Sequence, residues 1–181
     1  MSTLSVTTLQ GLASSPTPTK IEVASGHSLL APGHVIQTVD FTTASEVATT
    51  STSYVSSGLS GVITPKFSNS KIYCNFYQHF RVSGDHDHGI AFKVNRTIGA
   101  TTTEIYAPTQ HYEYYFYDGT ANATNDERHD RFPIFVVDTP SSTSACTYAV
   151  TFRSMRTDNN ATTKTQVDGN KSMGFLMEIA Q

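Results

Sequence analysis

From Gly33 onward, apolar and polar residues alternate in short runs, the two-residue period of strands whose faces differ. The clearest run is Lys71–Val82. There Ile72, Cys74, Phe76, Phe80 and Val82 share one face, with Tyr73, Asn75, Tyr77, His79 and Arg81 on the other. Ile90, Phe92 and Val94 alternate with Ala91, Lys93 and Asn95, and Tyr148, Val150 and Phe152 with Thr147, Thr151 and Arg153. Val35, Val39 and Phe41 fall on one face of an earlier strand, and Met173, Phe175, Met177 and Ile179 on one face of a later one. Phe132–Val137 is apolar on both faces, as a central strand would be. Leu59–Ile63 precedes the breaker Pro65, Glu104–Ala107 makes a short strand, and His111–Tyr117 runs into the turn Asp118-Gly119. Ser45–Ser57 reads as a Thr/Ser-rich edge or loop. The pattern holds no convincing helix. It predicts an all-β, antiparallel two-sheet sandwich of jelly-roll type, with Ile72, Phe76, Phe80, Phe92, Val94, Val150, Phe152, Phe175 and Ile179 in one core.

Residues 1–32 differ from this. Leu4, Val6 and Leu9 on one side, and Ile21 and Val23 on the other, flank the loop Gly11–Thr19 with its Ser and Pro residues. So short a stretch cannot bury a core of its own. Its alternating apolar residues suit a small N-terminal β arm that folds against a neighbouring subunit, leaving 33–181 as the sandwich domain.

Composition narrows the classes. The chain has 27 Thr and 20 Ser among 181 residues, with 10 Phe, 9 Tyr and no Trp, a mixture suited to pleated, half-buried surfaces. Charged residues make up 15% and the net charge is -3, so no phosphate-neutralising surface and no nucleic-acid partner is expected. No apolar run approaches the roughly 20 residues that span a bilayer, so membrane insertion is not expected. The N-terminus shows neither the basic start nor the apolar stretch of a secretion signal. Cys74 and Cys146 form no disulfide framework, and Cys74 on an apolar face reads as a small core residue. The expectation is a protein made in a reducing cytosol.

Asp85-His86-Asp87-His88-Gly89, between two strong strands, is the sharpest local constellation. Alternating carboxylates and imidazoles suit a divalent ion, yet loop neighbours seldom converge on one, so a solvated turn is the reading and metal binding stays secondary. The run from Asn125 to Arg131 mixes both signs of charge, a solvated loop or a subunit contact. Tyr112–Tyr117 holds five aromatics; Tyr112, Tyr114 and Phe116 read as inward, with Tyr115 and Tyr117 on the rim, and the alternative is a glycan-stacking surface next to the Asp118-Gly119 loop. No GxSxG elbow, Walker loop or dinucleotide fingerprint is present, so neither enzyme activity nor a cofactor is expected.

Several phrases resemble small tail-fibre-like and other virion structural proteins of marine tailed bacteriophages. They include Pro32-Gly33-His34-Val35-Ile36-Gln37, Tyr54-Val55-Ser56-Ser57-Gly58-Leu59, Ile63-Thr64-Pro65-Lys66-Phe67-Ser68-Asn69-Ser70-Lys71-Ile72 and the closing Gly174-Phe175-Leu176-Met177-Glu178-Ile179. The resemblance implies a virion component without catalysis: a short tail fibre or host-recognition knob, trimeric, with its arm docked on other virion proteins and a host surface glycan as a candidate partner. A capsid decoration or tail-connector protein is the alternative within that class. A carbohydrate-binding or hydrolytic module is the alternative outside it. In such an assembly Tyr73, Tyr77, His79, Tyr115 and Tyr117, amphipathic aromatics on faces that would otherwise carry charge, are the subunit-interface candidates.

Overall fold

The computed structural model describes residues 31–109, 112–117 and 126–181; the arm candidates Leu4, Val6, Leu9, Ile21 and Val23 lie outside them. Eleven strands follow one another: β1 (Val35–Thr43), β2 (Val47–Thr49), β3 (Val55–Ile63), β4 (Lys71–Gly84), β5 (His88–Ile98), β6 (Thr101–Tyr106), β7 (Tyr114–Phe116), β8 (Asp126–Asp138), β9 (Cys146–Ser154), β10 (Thr162–Thr165) and β11 (Ser172–Ile179). Between β10 and β11 comes a 3-10 turn, Val167–Gly169. All the pairings are antiparallel and form two sheets, the jelly-roll-like sandwich that the alternation predicts.

Sheet A is built on β4. One side of β4 pairs with β8 along its whole length; the other pairs with β11 and then β1 at one end, and with β10 and then β2 at the other. Sheet B runs β3-β9-β5-β6, with β7 beside β5. Between the sheets lie the even-numbered residues of β4, including Ile72, Phe76 and Phe80, against Phe92, Val94, Tyr148, Val150 and Phe152 of sheet B. Phe80 and Phe92 meet edge to face at 5.8 Å, and Phe41 meets Phe76 in the same way at 5.9 Å. Phe41 can lie there because β3 and β11 present glycines beneath it: a Cβ at Gly61 or Gly174 would stand 2.4 or 2.6 Å from its ring.

Three expectations are corrected. β8 is not central: among the described residues it pairs with β4 alone, and Phe135 is 70% exposed. Pro133 within it was the available sign, since proline is tolerated on edge strands where its missing N–H faces outward. Second, Phe175 and Ile179 are not in the core. On β11 it is Leu176 and Glu178 that turn inward, leaving Met173, Phe175, Met177 and Ile179 on the outer face of sheet A. Third, a register shift between Val35 and Gln37 turns Val35 out to solvent while Val39 and Phe41 pack on the core.

Glu178 explains the parity of β11. Its side chain is fully buried and accepts hydrogen bonds from Lys66 N (2.8 Å), Phe67 N (3.2 Å), Ser70 Oγ (2.7 Å) and Gln37 Nε2 (2.6 Å). It thereby ties the β3–β4 loop to β1 and β11. A second polar tie crosses between the sheets: Arg96 of β5 donates to both oxygens of Asp138 on β8 at 2.8 Å, and Tyr148 Oη of β9 donates to Oδ2 at 2.7 Å. Burial, followed by that bond, raises the pKa of the Tyr148 hydroxyl.

Phe76→Ala is expected to cost about 3–5 kcal/mol in denaturant unfolding, the usual loss for a fully buried phenylalanine. Glu178→Ala is expected to cost at least about 2 kcal/mol, because several donors lose their acceptor together. A loss near zero for Glu178→Ala would show that the β3–β4 loop holds itself without it.

Candidate functional site

The strand pairings set the outer face of sheet A in rows. One row reads Pro133, Tyr77, Met173, Thr42; the next Phe135, Asn75, Phe175, Asp40; the third Val137, Tyr73, Met177, Thr38. Three strands of the four thus carry mainly apolar or aromatic side chains where a solvated sheet would carry polar ones. Exposure is 70% at Phe135, 50% at Val137, 46% at Met173, 42% at Tyr73, 41% at Tyr77 and 37% at Phe175. Two adjoining shallow grooves of about 410 Å³ each run over this face, sharing Asn75, Phe135 and Phe175.

The free edge of β8 borders the face. Glu127 N donates to Asp126 Oδ1 at 2.8 Å and Arg131 N to Asp130 Oδ1 at 2.7 Å, so the odd-numbered amides of β8 point away from β4. Pro133 shares that parity and has no N–H to offer. Phe135 and Val137 share it too, and among the described residues their amides carry no such side-chain cover. The charged stretch at the start of β8 is therefore strand from Asp126 onward, not the solvated loop expected of it.

The five interface candidates part company. Tyr73 and Tyr77 stand on the outer face of sheet A. His79 belongs to the same side of β4 but is buried. The His129 ring lies 6.1 Å from it, and the neighbouring Arg131 is bound to Asn170 at 3.1 Å, beyond the 3-10 turn. The His79 Nδ1 is buried and, among the described residues, meets no hydrogen-bonding group, while its backbone N–H donates to Ser172 Oγ at 2.9 Å. Burial first, then the charges of Arg131 and His129, lowers the His79 pKa below its usual value, against a weaker opposing pull from Asp168.

Tyr115 and Tyr117 lie with sheet B instead. Tyr115 donates to Asp87 Oδ2 at 2.9 Å and stacks on Tyr112 at 4.8 Å; Tyr117 is 68% exposed, 6.3 Å from Tyr115. Tyr112 therefore joins the rim and does not turn inward, whereas Tyr114 packs on Phe80 at 5.2 Å as expected. The Asp/His hairpin does not converge on one point. Asp85 accepts from Asn160 Nδ2 at 2.6 Å, Asp87 faces Tyr115 and Arg156, and His88 is buried against Phe116 with Nδ1 2.8 Å from His86 O. Among the described residues no three His, Cys, Asp or Glu side chains are grouped to hold an ion.

Alternation could not reveal the outward set Met173, Phe175, Phe135 and Val137, because it separates two faces without saying which is inward. No family model matches the chain. No curated protein matches it either. Among solved structures it is similar to a mutant VP2 protein of infectious bursal disease virus, from derived T=1 particles, at 9% identity over 91% of this chain and 45% of that one, with a TM-score of 0.19. It is also similar to infectious bursal disease virus Gt strain, at 9% identity over 95% of this chain and 45% of that one, with a TM-score of 0.15. The chain thus spans under half the length of both, and superpositions this loose carry no argument about fold or function.

The lowered His79 pKa gives a signed expectation. Burial disfavours the protonated form of His79 in the folded state, so as pH falls the unfolded chain takes up the proton first, and the associated stability is present above about pH 6.5 and lost as pH falls below it. His79→Gln is expected to flatten that fall, read as the difference between the two proteins' unfolding midpoints at pH 7.5 and pH 5. Identical differences would remove His79 from the account.

Proposed function

We propose that this chain is a non-enzymatic structural subunit of a phage virion, a short tail fibre or host-recognition knob that assembles as a trimer and docks through its N-terminal arm. The observation that carries the reading is the apolar outer face of sheet A. Six large side chains, each worth some 150–250 Å² when fully buried, are together exposed to the order of 500 Å². A patch of that size is at the upper end of what single soluble chains expose, where such patches are often functional, and it is a substantial part of the roughly 800 Å² per partner that a stable interface buries. With 12 basic and 15 acidic residues in the whole chain, little charge remains to keep such faces apart. The resemblance to fibre heads favours closed three-fold symmetry. A capsid decoration or tail-connector protein would use the same face, and the tyrosine row at Tyr112, Tyr115 and Tyr117 suits stacking on a host glycan.

Light scattering on the purified protein is expected to report about three times 19.7 kDa. Tyr77→Lys, on β4 between Pro133 of β8 and Met173 of β11, is expected to lower that mass while leaving the β-sheet circular dichroism unchanged. A wild type that stays monomeric at micromolar concentration would sink the reading.

A further inference from the structure

We infer that the symmetry axis of the assembly passes beside Phe135 on β8, so that the Phe135–Val137 stretch of each copy meets the same stretch of a second copy, while β1 lies at the outside. The inference rests on the self-association proposed above and locates its centre.

Three observations point to β8. The first is the slope of exposure across the rows. It is highest on β8, at 70% for Phe135 and 50% for Val137, and lower on the next two strands, at 42% and 41% for Tyr73 and Tyr77 on β4 and 46% and 37% for Met173 and Phe175 on β11. Beyond these, β1 presents polar Thr38, Asp40 and Thr42. An interface has an apolar centre and a polar rim. Here the rim is present along β1 and missing along β8, where the most exposed apolar residues stand at the very border. The missing half of the interface therefore lies across the β8 edge, in another copy of the same face.

The second observation is the guard along that edge. Exposed strand edges are commonly protected by charge and proline. On β8 the guard is partial and lies between Asp126 and Pro133: aspartates occupy the outward amides of Glu127 and Arg131, the amide of His129 between them has no such bond among the described residues, and proline removes the donor at 133. It stops there. Among the described residues, the outward-facing backbone at Phe135 and Val137 has no such guard.

The third observation is charge. Like faces brought together about Phe135 place uncharged side chains side by side. The same faces brought together about β1 would set Asp40 against Asp40, a like-charge contact. An acidic or basic partner protein would meet no counter-charge in the three rows except Asp40 itself, at the far border. A second copy is the occupant that fits.

The test uses full-length Phe135→Cys, Val137→Cys and Asp40→Cys proteins, oxidised mildly and run on a non-reducing gel, with the assembly mass read by light scattering beside it. The native thiols, Cys74 and Cys146, are free and buried, so wild type supplies the unlinked background. A disulfide requires Cα atoms within about 7 Å, a separation met only near the axis. Phe135→Cys or Val137→Cys is expected to link at least tenfold more chain than Asp40→Cys; in a trimer two of every three chains can pair. Phe135 is too exposed for its loss to disturb folding, and Val137→Cys repeats the test one pleat away. A multiple-copy mass with linked Asp40→Cys and unlinked β8 variants would overturn the axis and leave self-association standing. A two-copy mass with linked Phe135→Cys would overturn the trimer and leave the axis standing. A monomeric mass with no linkage would overturn both.

Discussion

The carboxylate of Glu178 decides which side of β11 faces the core. It is drawn inward by the donors of Lys66, Phe67, Ser70 and Gln37, and a strand has no freedom to send adjacent residues the same way. Once Glu178 points in, Leu176 follows and Met173, Phe175, Met177 and Ile179 must point out. The apolar outer face of sheet A is thus partly a consequence of a polar group. Stability of the single chain would favour burying those four side chains. The fold leaves that surface on the outside of sheet A instead.

The two polar ties divide the labour. Glu178 gathers one end of sheet A with its loop, and the Asp138–Arg96–Tyr148 group fastens β8 to the second sheet. Asp138 ends β8, directly beyond Val137. The strand with an open edge is therefore anchored at the residue after its most open stretch. An anchored edge can meet a partner without first being ordered, and less conformational entropy is lost on association.

Much of the fold was legible in the alternation, because β4, β5 and β9 each oppose an apolar face to a mixed one. Phe76, Phe80, Phe92 and Phe152 fell where the pattern put them. β11 misled because both of its faces look plausible: an acidic residue ordinarily marks the wet side, and only its distant partners show that Glu178 is satisfied inside. β8 misled because two apolar faces suggest a central strand, and Pro133 weighed too little against them. His79 could not be judged locally at all, since its cover comes from β8 and the segment after β10. The Asp/His hairpin is the opposite case. Its residues are adjacent in the chain, yet each side chain finds a different partner, which adjacency alone cannot reveal.

The position of β11 also orders events during synthesis. It lies between β1 and β4, joining strands made early, although it follows all the other strands along the chain. Until the ribosome has passed Ile179, β1 has no neighbour in sheet A and that end of β4 lacks its second one. Pairings between such distant segments form late and slowly. The rows across the outer face, to which β11 contributes the central Met173, Phe175 and Met177, therefore come into being only after β11 is made. Chains released before β11 would carry Phe135 and Val137 of β8 but lack Met173, Phe175 and Met177, so the outer rows would be cut off at β4.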